Sequence, residues 1–281
     1  MSNARWGVGS NQYRKRPPTT REDSPAPELR RPGAADAFEV TGIRWNIDDV
    51  AIERMTGNGD AQRARHRFRS RFPEMIWDAA RLEGNTFTLP EVQTLLGGVT
   101  VDGHRLEDQN QILALNEGFN RLDERVGSGT FSLSREVSNE LHGLVAVHEA
   151  IESGHFRGEG SVRGGGSVRL SDGRTVDGRD HGEDGQLVQA AFTDLSDYLS
   201  TIDDPRLRAL VYAASAIRHQ FYFDGNKRTA KLMAGGELMA HGFDAVSIPY
   251  SRLYEQNVAL DHLFATDDAT DLMRLLADST R

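Results

Sequence analysis

The stretch HQFYFDGNKR, residues 219–228, joins the two most apolar predicted helices of the chain. Its glycine precedes a predicted helix start, where free backbone N–H groups and the positive end of the helix dipole favour an anion. Lys227 and Arg228 add fixed positive charge, and the Arg228 guanidinium can donate to two phosphate oxygens. Asp224 is close enough in sequence to hold Mg²⁺ against those phosphates. The stretch therefore predicts a metal–nucleotide site, with an ordinary turn before a charged helix start as the alternative.

Helical patterns dominate the chain from residue 38 onward. Start signals such as Pro73, Pro205 and the capping box of Thr88 and Glu91 accompany apolar residues at helix spacing. The pattern predicts about eight to ten helices. They include 72–81, 89–96, 107–126, a long helix from Ser134 to Gly154, 185–200, 205–219, 226–241, 249–264 and 268–279. The sequence thus predicts a mainly α fold.

A glycine-rich segment, residues 154–183, interrupts the helices. Residues 168–170 and 175–176 flank Asp172-Gly173, an arrangement typical of a small β-hairpin or flap. The glycines do not follow a strand and open a helix, as a dinucleotide-binding fingerprint requires, and no Walker A sequence occurs. We therefore expect a hairpin here and no dinucleotide site.

Composition excludes several classes of protein. The 281 residues contain no cysteine, which rules out disulfides, thiolate zinc sites and cysteine nucleophiles. The formal net charge of −9 is opposite to that of a generic nucleic-acid or anionic-membrane binder. No apolar run is long enough for a transmembrane helix, and the N-terminus lacks the apolar core of a signal peptide. We expect a cytoplasmic protein without nucleic-acid or membrane partners.

Residues 1–37 are predicted to form a disordered tail. Five of the nine prolines lie there among few apolar residues. Such a segment cannot bury enough surface to offset the entropy of ordering. Its local excess of arginine could dock on an acidic surface, and a solvated linker is the alternative interpretation.

Two separated motifs resemble the Fic (Fido-domain) family. Residues 219–228 resemble the active-site loop of that family, whose pattern is H-x-F-x-[D/E]-G-N-[G/K]-R, and LEGN at 82–85 resembles the end of its N-terminal inhibitory helix motif. The glycine-rich segment lies where the family places its target-docking flap. The resemblance covers residues 70–265 and implies a mainly α Fic/Fido domain with a small β-hairpin flap and an N-terminal helical extension. We accordingly expect a helical segment at 38–100 and a Fic core domain at 101–281.

The resemblance implies transfer of AMP, or of a related phosphate-containing group, from ATP with Mg²⁺ to a Ser, Thr or Tyr hydroxyl of a target protein. In that family a histidine takes the proton of the hydroxyl, which attacks the α-phosphate. The matching positions assign Mg²⁺ to Asp224 and the phosphates to Gly225, Asn226, Lys227, Arg228 and Lys231. Asp224, Asn226 and Arg228 also belong to the expected catalytic set. A nucleotide and a protein are the expected partners, and a homo-oligomer is left open.

The sequence departs from the family pattern at the histidine. The family places it four residues before the acidic residue, and that position here is Gln220, while His219 is one residue too early. Glutamine cannot accept a proton. A shift of one residue on a helix rotates a side chain by about 100° and moves it by about 1.5 Å. Either Gln220 occupies the base position, which the buried register of the following aromatic residues favours, or His219 reaches it through a bulge. His219 as an ordinary helix-terminal histidine is the structural alternative.

Two further departures concern control of the site. The family pairs its inhibitory glutamate, here Glu83, with a second arginine, and that position is Lys231. The Ser or Thr expected four residues before the glutamate is Ala79. We predict autoinhibition by Glu83, with a purely structural Glu83 as the alternative. The rival to transfer is a Fic-fold nucleotide-binding or interaction module that lacks the usual base, and a different reaction at the same site is the third possibility.

Other candidate residues receive structural interpretations. His148, Glu149 and Glu152 are expected to form an exposed, ion-paired helix face, because the second histidine of a zinc-protease helix is missing. His142 and His155 are spaced so that they do not join His148 in one metal-ligand set.

Overall fold

The computed structural model describes residues 37–280, so all of the predicted tail except Ala37 lies outside the described residues. The described part contains twelve α-helices and one two-stranded sheet, which confirms the mainly α prediction with more helices than expected. Several of the additional helices are short and lie near the N-terminus. None of the helices between residues 37 and 280 is long and apolar enough to cross a membrane.

The α-helices are Ala37–Thr41 (α1), Ile47–Val50 (α2), Ala61–Ser70 (α3), Phe72–Leu82 (α4), Leu89–Leu96 (α5), Leu106–Gly127 (α6), Arg135–Val145 (α7), Gln186–Ser200 (α8), Pro205–His219 (α9), Asn226–Ala240 (α10), Leu253–Thr266 (α11) and Thr270–Ala277 (α12). Short 3₁₀ turns occupy Ile52–Arg54, Glu183–Gly185 and Tyr250–Arg252.

Local start signals form as the sequence predicts. The Thr88 amide donates to the Glu91 carboxylate at 2.7 Å, which completes the capping box of α5. Pro205 is the first residue of α9, and the Asp204 side chain accepts from the Arg206 amide at 2.9 Å. These two helices begin where the sequence places them because their caps are local.

The predicted helix from Ser134 to Gly154 is wrong at its end. Helix α7 stops at Val145, and turns follow it. Nδ1 of His142 accepts a hydrogen bond from the Gly154 amide at 2.9 Å, which requires the chain to fold back. Ile151, expected on the apolar face of that helix, is 52% exposed.

Helices α9 and α10 form the centre of the core. Most residues of both helices are buried, so each helix is enclosed by the protein on most of its circumference. Helix α10 packs against α3, α6, α7 and α9. The loop that joins α9 to α10 is therefore fixed at both ends by the most buried elements of the protein.

The predicted hairpin is confirmed. Strands Ser167–Arg169 (β1) and Thr175–Asp177 (β2) pair antiparallel, with Val168 opposite Val176. At its tip, the Ser171 amide and hydroxyl donate to the Asp261 carboxylate on α11.

The base of the hairpin is held by a buried arginine. The Arg157 guanidinium donates to the carbonyl of Gly165 at 3.0 Å and to that of Arg179 at 2.6 Å. It also donates to the Gln220 carbonyl, just after α9. Arg157 therefore connects both sides of the hairpin base to the end of α9.

Two adjacent glycines of α10 provide a test of this packing. A Cβ atom at Gly236 would overlap the Phe131 ring, whereas at Gly235 the nearest atom would be Ala245 Cβ at an ordinary 3.5 Å. We expect Gly236→Ala to lower the free energy of unfolding by about 1–3 kcal/mol through overpacking. Gly235→Ala is the matched control and should be neutral or stabilising, because alanine favours the helix. Urea unfolding measures both; equal effects would contradict the packing described.

Candidate functional site

A cleft of about 1100 Å³ opens beside the start of α10. The end of α4, the start of α6, the turn after α7, the hairpin, the α9–α10 loop and α11 all line it. Its lining includes Glu83, Gln220, Asp224, Asn226, Lys227 and Arg228. The structure thus brings most of the sequence-predicted site residues to one place. Lys231, one turn further along α10, lines a separate apolar cavity of about 30 Å³.

The side chain of Asn226 closes the α9–α10 loop. Helix α9 ends at His219, and Gln220 adopts a left-handed conformation with φ of +53°. Oδ1 of Asn226 accepts from the Tyr222 amide at 2.9 Å, and its Nδ2 donates to the Tyr222 carbonyl at 2.8 Å and to Gln220 Oε1 at 3.0 Å. Asn226 is buried, so its side chain shapes the loop from inside.

His142 of α7 contacts the α9–α10 loop at two residues. Its Nε2 donates to the Asp224 carbonyl at 2.8 Å, and its ring stacks on Tyr222 with 3.7 Å between centroids. Since Nδ1 accepts from the Gly154 amide, the imidazole must be the neutral Nε2–H tautomer. Burial lowers the pKa of His142 to about 4, which keeps the ring neutral at pH 7. The position of Asp224 therefore depends on a neutral histidine.

The start of α10 presents the expected anion-binding groups. The first backbone hydrogen bond of α10 runs from the Thr229 amide to the Gly225 carbonyl at 3.0 Å. The amides of the three residues before Thr229 therefore have no partner among the hydrogen bonds of the helix. Gly225 has φ of +74°, and a Cβ there would approach Ala146 Cβ to 2.7 Å. The side chain of Asp224 is 55% exposed beside these amides. Burial of the remaining part raises the pKa of Asp224, against the opposing charge of Arg228.

Arg228 is engaged by a carboxylate of the same chain. Its side chain is only 2% exposed, and Nη1 and Nη2 donate to the two oxygens of Glu149 at 2.8 and 2.6 Å. Nη1 also donates to the Val145 carbonyl at 3.0 Å. The guanidinium expected to clamp phosphate thus lies at the floor of the cleft against Glu149.

Glu83 lies over Lys227. The residue follows the last residue of α4, and its Oε2 forms an ion pair with Lys227 Nζ at 2.9 Å. Although burial opposes ionisation, the charges of Lys227, Arg228 and Lys231 lower the pKa of Glu83 to about 2. Its Oε1 is buried and has no hydrogen-bond partner among residues 37–280. Glu83 is therefore a carboxylate held by one cation and surrounded by others.

Lys231 is not the ion-pair partner of Glu83 that the sequence suggested. Its ammonium donates to Gln256 Oε1 at 3.4 Å, and burial lowers the pKa of Lys231 to about 8. The cation that pairs with Glu83 is Lys227, one helical turn before Lys231, and the spacing of the motif alone does not show which of the two lysines lies nearer to the end of α4.

Gln220 faces the cleft and His219 does not. The His219 ring is buried against Gly42, where a Cβ would approach its Cε1 to 2.8 Å, and burial lowers the pKa of His219 to about 3. Gln220 lines the cleft, with its Nε2 donating to the Ile217 carbonyl at 2.7 Å and its Oε1 accepting from Asn226. The residue at the expected base position thus has no group that takes a proton.

Sequence reasoning missed the roles of His142 and Glu149. Both were interpreted structurally. Glu149 is exposed and ion-paired as expected, but it lies in the turn after α7 and not on a helix, and its partner is the buried Arg228. The signal for His142 was its place among the apolar residues of α7, where a buried histidine requires partners on both nitrogens. Nothing local indicates the partner of Glu149, because Arg228 is 79 residues away.

Similar proteins are found by sequence. No protein-family model matches the chain. It is 26% identical to the protein adenylyltransferase Fic of Drosophila erecta and 27% identical to that of Drosophila melanogaster, over 258 aligned residues in each case. The alignments cover 88% of this chain and 49% and 50% of those proteins. The chain thus spans about half the length of the curated relatives it matches.

Solved structures share the fold. Fic-1 (residues 134–508) from C. elegans superimposes with a TM-score of 0.61 at 19% identity, covering 86% of this chain and 66% of that one. A Fic-domain-containing signalling protein from Bacteroides thetaiotaomicron gives a TM-score of 0.63 at 19% identity, covering 86% and 88%. At this identity the likeness concerns the fold alone.

The two buried histidines predict acid-sensitive stability. Their pKa values in the folded chain, about 4 for His142 and about 3 for His219, lie below the usual 6.5. Unfolding exposes both rings, so the unfolded chain binds more protons, and the free energy of unfolding falls as pH drops from 6.5 toward 4. Above pH 6.5 the contribution is fully present. We expect urea unfolding to report that the proton uptake of these two residues rises from about half a proton at pH 7 to about two protons at pH 5.

His142→Gln should reduce that uptake by about one proton, since glutamine retains a donor and an acceptor without titrating. The substitution His66→Gln on the exposed face of α3 is the surface control. Identical pH dependence in the wild type and His142→Gln would contradict the role given to this ring.

Proposed function

The chain is a member of the Fic (Fido-domain) family, and from this we propose that it binds ATP with Mg²⁺ and transfers AMP to a hydroxyl group of a target protein. The observation that carries the proposal is the start of α10, where Asp224, Lys227 and the first amides of the helix face one cleft. A polyphosphate fits such a site because the helix N-terminus and a nearby cation both favour an anion. A protein as the acceptor agrees with the relatives, which are named protein adenylyltransferases, and the hydroxyl group is the acceptor that the resemblance of the motifs implies.

Asp224 is the residue that would hold Mg²⁺. Residues 37–280 contain no group of three or more acidic or histidine side chains able to hold a metal by themselves. One half-exposed carboxylate beside phosphate oxygens is nonetheless the arrangement in which Mg²⁺ binds nucleotides, so the donor set fits. The ion would supply neutralisation of phosphate charge.

The transfer step would occur at the α-phosphorus. The acceptor oxygen forms a bond to phosphorus, the bond to the bridging oxygen of the β-phosphate breaks, and pyrophosphate leaves with the electron pair. Backbone amides of α10 would orient the phosphates, and Asn226 keeps the loop in the geometry that aims them. The proton of the acceptor has no receiver in Gln220, so it would pass to solvent or to a phosphate oxygen.

The lack of a proton acceptor at Gln220 favours a second candidate function. A Fic-fold chain with Gln220 at the base position could bind nucleotide without transferring it and act as a nucleotide-dependent interaction module. The supporting observation is that both ends of the Gln220 amide are hydrogen-bonded within the protein, to Ile217 and Asn226. The two functions share the site and differ in the chemical step.

We further propose that Glu83 inhibits the site. It belongs to the N-terminal helical segment, residues 38–100, and its carboxylate pairs with Lys227 of the proposed core domain, residues 101–281. A phosphate group would need the same cation. The unpartnered Oε1 of Glu83 leaves this contact incomplete, so a ligand that brings several phosphate oxygens can replace it.

Label transfer from α-phosphate-labelled ATP with Mg²⁺ tests the function. Glu83→Gln should bind ATP more tightly than the wild type, by about tenfold if about 1.4 kcal/mol of competition is removed. Glu74→Gln, elsewhere on α4, is the matched control. Label on protein in a cell lysate with Glu83→Gln would support transfer, and His219→Gln should not reduce it because His219 lies away from the cleft.

Label that appears only when Gln220→His is added to Glu83→Gln would support the second candidate, a binding site without its base. Absence of ATP binding in all of these variants would contradict both functions.

Asp224→Asn tests the metal assignment. The substitution removes the charge that would hold Mg²⁺, so we expect the affinity for ATP to become the same with Mg²⁺ and with a chelator. Asp261→Asn, another aspartate of the cleft, is the control and should retain the metal dependence. Titration calorimetry measures each; a preserved Mg²⁺ effect in Asp224→Asn would remove this residue from the metal site.

A further inference from the structure

Arg228 and Lys227 differ in their availability to a ligand. The side chain of Arg228 is 2% exposed and donates through both terminal nitrogens to Glu149 and through one of them to the Val145 carbonyl. The side chain of Lys227 is 23% exposed, and its ammonium pairs with Glu83 at the surface of the cleft. A ligand in the cleft therefore meets Lys227 first, with Arg228 beneath it.

Glu149 is itself held in place. Gln111 Nε2 donates to Glu149 Oε1 at 3.0 Å, and Gln111 Oε1 accepts from Asn85 Nδ2 at 2.8 Å. Asn85 lies two residues after Glu83, so a chain of side chains connects the proposed inhibitory segment to Arg228. Glu149 cannot leave Arg228 without also breaking this chain, and its departure would leave the buried guanidinium with only the longer ion pair of 3.9 Å to Asp224.

Glu83 and Glu149 consequently differ in how easily a phosphate could displace each carboxylate from its cation. Glu83 has one ion pair and an unpartnered oxygen, whereas both oxygens of Glu149 are bonded to Arg228 and one also to Gln111. Exchange of carboxylate for phosphate is therefore less costly at Lys227 than at Arg228.

We infer that Glu149 is the permanent counter-ion of Arg228 in the anion site, so that Arg228 holds the end of α7 and the turn after it against the start of α10, and Lys227 is the cation that contacts phosphate. Glu149 then acts as a specificity-determining residue, because it removes one unit of positive charge from beneath the phosphates and limits the affinity of the cleft for polyanions. The inference rests on the proposed function, since it concerns the same nucleotide site.

The variant Glu149→Gln tests the inference in the full chain. It keeps the shape of the side chain and one acceptor oxygen but replaces the other oxygen with an NH2 donor and removes the negative charge, so Asp224 at 3.9 Å is the remaining ion-pair partner of Arg228. We expect lower thermal stability together with affinity for inorganic tripolyphosphate and for Mg²⁺–ATP that is tighter by about tenfold. The gain should shrink as salt rises, because it is electrostatic. A merely structural role would lower stability without tightening binding.

Glu140→Gln is the matched control. It makes the same change in net charge by removing a carboxylate from an ion pair with Arg125, outside the residues that line the cleft. Affinity for tripolyphosphate that is equal in Glu149→Gln and Glu140→Gln, or weaker in Glu149→Gln, would overturn the inference.

A measurement on the wild-type chain remains decisive if Glu149→Gln does not fold. The NMR signals of the Arg228 guanidinium should keep their positions when Mg²⁺–ATP is added, while the Lys227 ammonium signal shifts. Movement of the Arg228 signals to new positions would show that phosphate replaces Glu149 and would overturn the inference. Binding of neither tripolyphosphate nor Mg²⁺–ATP, also in Glu83→Gln, would instead overturn the proposed function on which it rests.

Discussion

The hydrogen bonds of one neutral imidazole determine the geometry of the cleft. His142 needs an acceptor on Nδ1 for the Gly154 amide and a donor on Nε2 for the Asp224 carbonyl, and only the uncharged ring offers both. Burial keeps it uncharged. The ring joins the turn after α7 to the loop before α10, so the turn that carries Glu149 and the loop that carries Asp224 are held together. The first amides of α10 are consequently held in place without a ligand, which is the arrangement that the proposed stabilisation of phosphate would require.

Charge balance is the second constraint on the site. The cations of the first turns of α10 each contact an acceptor from another element, with Lys227 on Glu83, Arg228 on Glu149 and Lys231 on Gln256. A compact cation can exchange one oxygen ligand for another with little rearrangement, whereas a planar guanidinium bound at two nitrogens cannot. The order in which the two carboxylates could be replaced thus follows from side-chain chemistry as much as from position.

The sequence predicted those parts of the structure whose causes are local. Helices α5 and α9 begin at their caps, and the hairpin forms around Asp172-Gly173. The end of α7 was predicted wrongly, because the apolar spacing continues to Ile151 while the contact that ends the helix comes from His142 and a glycine twelve residues away. Local pattern contains no information on such a contact.

The same distinction applies within the site. Residues 224–228 were placed together because they are adjacent in sequence, whereas the partner of Arg228 had to come from elsewhere in the chain. The choice between His219 and Gln220 depended on a rotation of one residue at the end of a helix. The left-handed conformation of Gln220 and the packing of His219 against Gly42 place Gln220 at the cleft and His219 away from it, and neither feature could be deduced from spacing.

The two attachments of the hairpin have a consequence for the dynamics of the cleft. Its tip is tied to α11 by exposed hydrogen bonds from Ser171 to Asp261, while its base is tied to the end of α9 by the buried guanidinium of Arg157. Exposed hydrogen bonds open at much lower free energy than buried ones. Detachment of the tip should therefore cost less free energy than detachment of the base, so the hairpin is expected to open from its tip, on the side of the cleft formed by α11.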